Sequence, residues 1–265
     1  MNLDLICESV KETVITTGLW IKREMGSFNS KGKEKKGLHN FVTYVDKESE
    51  QQIIKKLKDI VPGAGFIAEE GTTVMKGDRY NWIIDPLDGT TNFIHGMPPF
   101  AISVALEDKD KIILGVIYEI GLNECFYAHS GSKAFLNGKE IKVSAVDSVF
   151  ESLIATGFPY TNFSKIEPYF KTMDYFMRNS HGLRRLGSAA TDLAYVACGR
   201  CDAFYEYGLS PWDVAAGAII IQQAGGFLSD FSGNNNYIYG KELIATNYKI
   251  KDEFLKIINE FMVGN

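Results

Sequence analysis

Three times in this chain an apolar segment meets carboxylates directly. Phe66-Ile-Ala68 leads into Glu69-Glu70, and Trp82-Ile-Ile84 leads into Asp85-Pro-Leu-Asp88. Asp213 stands between Trp212 and the apolar stretch 214–224. α/β sheets place ligands at such strand ends. A partly buried carboxylate is costly unless it is paired or binds a cation. If Glu69, Asp85, Asp88 and Asp213 converge, each pair of unit charges ~4 Å apart repels by about 4 kcal/mol at an effective dielectric of 20. Several such pairs force protonation. No matching cluster of Arg lies near these segments. A hard divalent cation resolves the conflict, and an all-oxygen donor set selects Mg2+ or Mn2+ over zinc.

Taken singly, these acids have blander explanations. Asp213 could cap the helix that follows it, and Asp88 could close an Asx turn before Gly89. The whole string from Asp85 to Asn92 asks for more. Gly89 lets backbone approach a ligand closely. A helical turn starting at Thr90 would present free amides, and amides beside a cation cradle phosphate. The string is no P-loop, because no Gly-Lys-Ser/Thr follows. It is no EF-hand either, because Asp85 and Asp88 have the wrong spacing.

The patterning predicts helices over 3–25, 45–60, 164–179, 188–197, 214–224 and 250–262. Leu5, Val10, Val14 and Trp20 mark the buried stripe of the first. Short strands are expected at 65–68, 82–84, 100–106, 112–120, 124–128, 152–156, 203–206 and 243–245, with a hairpin turn at Asn137-Gly138. Helices and strands alternate in blocks, so the class is layered α/β or α+β. There is no internal repeat. The pattern changes near residue 145, which predicts two halves, 1–145 and 146–265. The first carries most of the acids; the second carries Asp213.

With 265 residues and 45% hydrophobic content the chain can bury a sizeable core. A net charge of -5 argues against a nucleic-acid partner. Charged residues from Asp4 to Glu12 interrupt the first apolar residues, and no later segment suits a bilayer. A soluble, cytoplasmic protein without a secretory leader or membrane partner is therefore expected. Four cysteines make no disulfide framework. Cys198-Gly-Arg-Cys201 lacks a second ligand pair for zinc, so packing is the expected role. The basic run 31–37 reads as a solvated loop.

At its acidic strings the chain resembles the inositol monophosphatase family. Trp82-Ile-Ile-Asp-Pro-Leu-Asp-Gly-Thr-Thr-Asn-Phe-Ile-His95 matches the first family signature. Trp212-Asp-Val-Ala-Ala-Gly-Ala-Ile-Ile-Ile-Gln-Gln-Ala-Gly-Gly226 matches the second. Thr43-x-x-Asp46, Ala68-Glu-Glu-Gly71 and Gly187-Ser-Ala-Ala190 stand in the family order. The resemblance implies an αβαβα sandwich, two or three Mg2+ per site with Mn2+ as a substitute, lithium sensitivity and a homodimer. It implies that Glu69, Asp85 and the Leu87 carbonyl hold one metal, and that Asp85, Asp88 and Asp213 hold another. It gives Asp46, Thr90 and Glu69 roles in activating water. Asp88, Gly89, Thr90, Ala189 and Glu206 would contact substrate. Asn40 departs from the family acid at its position, and Lys35 or Lys36 would match a mobile-loop lysine.

The implied reaction is metal-activated attack of water on a phosphate monoester, with inositol 1-phosphate first among substrates. Fructose 1,6-bisphosphate and 3′-phosphoadenosine 5′-phosphate are the alternatives within this chemistry. A metal-binding regulatory protein without catalysis would have lost Glu69 or Thr90, and both are present. His95 and His181 read as packing or hydrogen-bonding residues. Arg184-Arg185 read as a structural or interface pair before a phosphate contact, and Phe158, Tyr160, Tyr205 and Tyr207 as core or rim.

Overall fold

The computed structural model describes residues 1–27, 33–35, 41–73 and 75–264. The basic run 31–37, apart from the backbone of 33–35, lies outside them, as do Lys36 and Asn40. Helix α1 (Leu3–Ser27) buries Ile6, Val10, Val14 and Ile21 along one stripe. Leu5, expected on that stripe, is exposed; the neighbouring Ile6 takes the inward position. A hairpin of β1 (Lys33–Lys35) and β2 (Phe41–Thr43) leads into α2 (Tyr44–Ile60). Thr43 caps α2. Its hydroxyl accepts from the Val45 amide at 3.0 Å, and its own amide donates to Asp46 Oδ2 at 2.8 Å. This reciprocal cap fixes the start of the helix and one oxygen of Asp46 together.

The first sheet has seven strands, β3 (Gly65–Ala68), β4 (Tyr80–Asp88), β5 (Ala101–Asp108), β6 (Lys111–Glu119), β7 (Glu124–His129), β8 (Ala134–Leu136) and β9 (Lys139–Ile141), in that order across the sheet. Only β3 and β4 run parallel. A five-residue helix α3 (Thr90–Ile94) follows β4. The β8–β9 hairpin flanks the turn read at Asn137-Gly138, where both residues have positive φ. The second sheet has the order β11-β10-β12-β14-β13, formed by β10 (Leu153–Thr156), β11 (Gly182–Arg184), β12 (Ala203–Tyr207), β13 (Phe227–Ser229) and β14 (Glu242–Thr246). Here β10 and β12 run parallel.

Five layers result. Helices α1 and α2 cover the outer face of the first sheet over a core around Trp82, Ile84, Val104 and Tyr118. Helices α4 (Ile166–Asn179) and α7 (Lys251–Met262) cover the outer face of the second, over Tyr169, Phe176, Tyr205 and Phe254. Between the sheets lie α5 (Ala189–Ala197) and α6 (Pro211–Gln223). Every residue of α6 from Val214 to Ile221 is buried, as a run that is apolar all round requires. The αβαβα sandwich is therefore present. No helix among the described residues is long and apolar enough to cross a membrane. Cys198 and Cys201 are free thiols at the end of α5; burial raises both, Cys201 to about 12, so neither is a ready thiolate.

Candidate active site

The parallel pairs β3–β4 and β10–β12 aim their carboxyl ends at one cavity, which Glu69, Asp85, Asp88, Asp192, Glu206 and Asp213 line together with Thr90 and Arg185. Strand alternation alone would not build it. Asp85 and Asp88 are three residues apart, so a regular strand would point them to opposite faces. On β5 their partners, Ser103 and Ala101, are only two apart. The extra residue beside Pro86 is a bulge, and it returns Asp88 to the face of Asp85. Asp85 Oδ1 accepts the Leu87 amide at 2.9 Å across it.

Asp213 arrives from α6. Its Oδ2 accepts the Ser210 amide at 2.6 Å, so it does cap the helix. It also meets the other two acids: one oxygen from each of Asp85, Asp88 and Asp213 lies within 4.8 Å of the others. Asp88 Oδ2 accepts from Ser188 Oγ and the Ala190 amide, both at 2.7 Å, which ties it to the start of α5. Thr90 Oγ1 lies 2.9 Å from Asp46 Oδ1 and 3.0 Å from the Leu87 carbonyl. Gly89 has φ of 91°, and a Cβ there would sit 3.0 Å from the Pro99 carbonyl. Only glycine suits that left-handed, crowded corner.

Electrostatics mark the cluster as unsatisfied. Burial pushes Asp85 well up, and Glu69, Asp88 and Asp213 add to it. Asp213 is pushed up to about 7 by burial and by Asp88. Asp88 is pushed up to about 6 by burial, against the Ser188 and Ala190 donors and Arg185. Burial also raises Asp46, and burial with Asp213 raises Glu206. The cavity has no His or Cys in its described lining, and its only basic side chain there is Arg185.

The cluster implies a pH dependence with a definite sign. Folded Asp213 and Asp88 hold protons up to about 7 and about 6, while the ordinary value is 3.8. Between those values the folded state binds more protons than the unfolded chain, so metal-free stability falls as pH rises from about 4 to about 7. The same protons compete with a cation, so dication affinity rises over that window. Urea melts in EDTA at about pH 5 and about pH 8 test this against Asp213→Asn. If wild type, relative to that variant, is no less stable at the higher pH, the electrostatic assignment is wrong.

Two features of the cavity went unread in the sequence, and a third, Arg185, reads there first as a structural or interface residue. Asp192, on α5, is buried with Oδ1 lacking a hydrogen-bond partner, and burial and Glu206 push it well up. Arg185 lines the cavity rather than standing apart with Arg184; it donates to Tyr160 Oη at 3.0 Å and faces the Phe158 ring. Gly157 leaves room for Glu206, whose carboxylate oxygens would lie 2.0 and 2.3 Å from a Cβ there. Phe158 and Tyr160 form the exposed rim, Tyr205 and Tyr207 belong to the core, and His95 and His181 are exposed away from the acids.

A layered sandwich with carboxylates gathered at its parallel strand ends, beside a glycine-led helical turn, defines a class of metal-dependent phosphatases. The chain belongs to the inositol monophosphatase family, whose model matches residues 3–262. It is 37% identical to an inositol-1-monophosphatase of Mesorhizobium japonicum over 94% of each chain. It is 41% identical to a fructose-1,6-bisphosphatase/inositol-1-monophosphatase of Thermotoga maritima over 86% of each. A Nus factor SuhB of Escherichia coli is 41% identical over 81% of each. Among solved structures, the extragenic suppressor protein suhB of Bartonella henselae superposes with a TM-score of 0.90 at 36% identity, covering 97% of this chain and 99% of that one.

Proposed function

We propose that this protein is a Mg2+-dependent phosphomonoester hydrolase whose preferred substrate is inositol 1-phosphate. The observation that carries the reading is the meeting of Asp85, Asp88 and Asp213 within 4.8 Å beside the Thr90–Asp46 contact. The donors fit a hard dication: all are oxygens, burial raises all three acids, like charge adds to the rise of Asp85 and Asp213, and a cation reverses that penalty. Glu69, Asp85 and the Leu87 carbonyl would hold one ion, and Asp85, Asp88 and Asp213 a second. Glu69 would also reach a weaker third. When bound, the cations acidify water and neutralise phosphoryl oxygens.

The chain's own groups do the rest. Asp46 Oδ2 is occupied by the Thr43 amide and hydroxyl, at 2.8 and 2.6 Å, so Oδ1 is the oxygen left to Thr90. Thr90 can pass its proton to that oxygen while accepting one from water. Burial, which raises Asp46, suits it to receive the proton. The Gly89 and Thr90 amides hold phosphate in place, with Asp88 at the ester side. Glu206 and the Ala189 backbone bind the hydroxyl groups of the polyol. Lithium inhibition and a homodimer accompany this reading.

A second substrate is favoured by one observation: Arg185 brings a guanidinium to the lining of the cavity, where a second phosphate would meet it. Fructose 1,6-bisphosphate offers one. Phosphate release should therefore be measured with Mg2+ for inositol 1-phosphate, fructose 1,6-bisphosphate, 3′-phosphoadenosine 5′-phosphate and NADP, each with and without lithium. The highest kcat/KM is expected for inositol 1-phosphate, with EDTA removing all release. No release from any substrate would end the proposal.

A further inference from the structure

Helix α2 touches the cavity's support twice. Asp46 and Glu50 stand one turn apart on the same face, and both are buried. Asp46 reaches Thr90. Glu50 reaches the turn that follows β3: its Oε2 accepts the Glu70 amide at 2.7 Å, and its Oε1 accepts the Thr72 amide at 2.8 Å and the Thr72 hydroxyl at 2.6 Å. The turn also needs Gly71, whose φ is +61°. On its other side the Glu69 amide donates to the Ile84 carbonyl at 3.2 Å, next to Asp85. Glu69 is thus gripped on one side by β4 and, through the two residues beyond it, by α2 on the other.

A carboxylate without exposed surface is retained only where donors satisfy it. All three donors to Glu50 come from the turn whose first residue, Glu69, lines the cavity. Thr72 itself is exposed and contributes nothing to the core. We propose that Glu50 is a positioning residue: it locks the turn after β3 so that Glu69 faces Asp85, and it thereby sets the affinity of the cavity for a divalent cation. The inference rests on the reading that Glu69 and Asp85 hold that cation.

The test is direct Mn2+ binding, by titration calorimetry or by the paramagnetic signal of the free ion, on wild type, Glu50→Gln, Thr72→Val and Asp85→Asn. Thermal melts in EDTA accompany each. Gln keeps the shape of Glu50 but has one acceptor oxygen, so it cannot serve both sides of the turn. Outer partners of metal ligands are worth about 10- to 100-fold in affinity, and Glu50→Gln is expected to lose Mn2+ affinity in that range. Its Mg2+ requirement should rise by the same factor, with turnover recovered at saturating Mg2+. A purely structural role would lower the melting temperature without moving metal affinity. Thr72→Val removes one donor from an exposed position and should show a smaller loss in the same direction. Wild-type Mn2+ affinity in folded Glu50→Gln overturns the inference. If that variant does not fold, unchanged affinity in Thr72→Val does so alone. If Asp85→Asn binds Mn2+ as wild type does, the cation reading itself fails, and the positioning role goes with it.

Discussion

Asp85→Asn is expected to lower turnover about a thousandfold while leaving a protein that folds. Asp85 is the acid shared by both proposed cation positions, and it is 1% exposed. A cation acting as Lewis acid supplies several kcal/mol to the transition state, and about 1.4 kcal/mol is a factor of ten. The fold should not suffer. Asn keeps an oxygen for the Leu87 amide, which Asp85 accepts at 2.9 Å. Its new amide group can donate to Asp88 or Asp213, replacing a repulsion with a charge-assisted hydrogen bond. Without metal the variant should therefore be more stable than wild type near neutral pH, by about 1–3 kcal/mol. Steady-state phosphate release at saturating Mg2+ and urea melts in EDTA read the two effects separately. Wild-type turnover in Asp85→Asn would remove the acids from the chemistry. A large loss of metal-free stability would mean that Asp85 is held for the fold instead.

Much of this arrangement was legible because it is local. The turn at Asn137-Gly138 and the apolar stretch 214–224 each carry their own structural instruction, and the elements form where those patterns stand. The strands were also legible, though β4 runs on through Asp85 to Asp88 instead of stopping at Ile84. The reason is physical: Pro86 breaks only the local ladder, and pairing with β5 resumes at Ala101. That resumption turns two acids of opposite parity to one face, and nothing in the string itself reveals it. The contacts of Glu50, Asp192 and Arg185 were not legible for a related reason. Each joins elements far apart in the chain, so its meaning exists only after the layers have packed. The short strands β1, β2, β11 and β13 were missed because three residues show too little alternation to be read, and their neighbours create them.

The closeness of those layers leads to the second large effect, which falls on a residue outside the cavity. Gly115→Ala, in the middle of β6, is expected to destabilise the protein by about 1–3 kcal/mol and to weaken cation binding as well. Gly115 pairs with Ala105 on one side and Ala128 on the other, so a row of small side chains crosses the sheet beneath α6. The helix lies in that row. A Cβ on residue 115 would sit 2.5 Å from the Ala216 carbonyl oxygen, 2.7 Å from Ile219 Cγ2 and 2.8 Å from Ala216 Cα. Two of those three atoms are backbone, so no rotamer change relieves the contact, and overpacking of this kind costs about 1–3 kcal/mol. Relief requires α6 to lift from the sheet. Asp213 is in its first turn, three residues before Ala216, and Ser103 Oγ donates to the Trp212 carbonyl at 3.0 Å just beside it. Lifting α6 therefore draws Asp213 away from Asp85 and Asp88, and the loss of metal affinity should accompany the loss of stability. Urea melts and Mn2+ titrations on the one variant measure both. A destabilised variant with wild-type Mn2+ affinity would show that the sheet yields and the helix stays. Unchanged stability would mean that the helix does not rest on Gly115 at all.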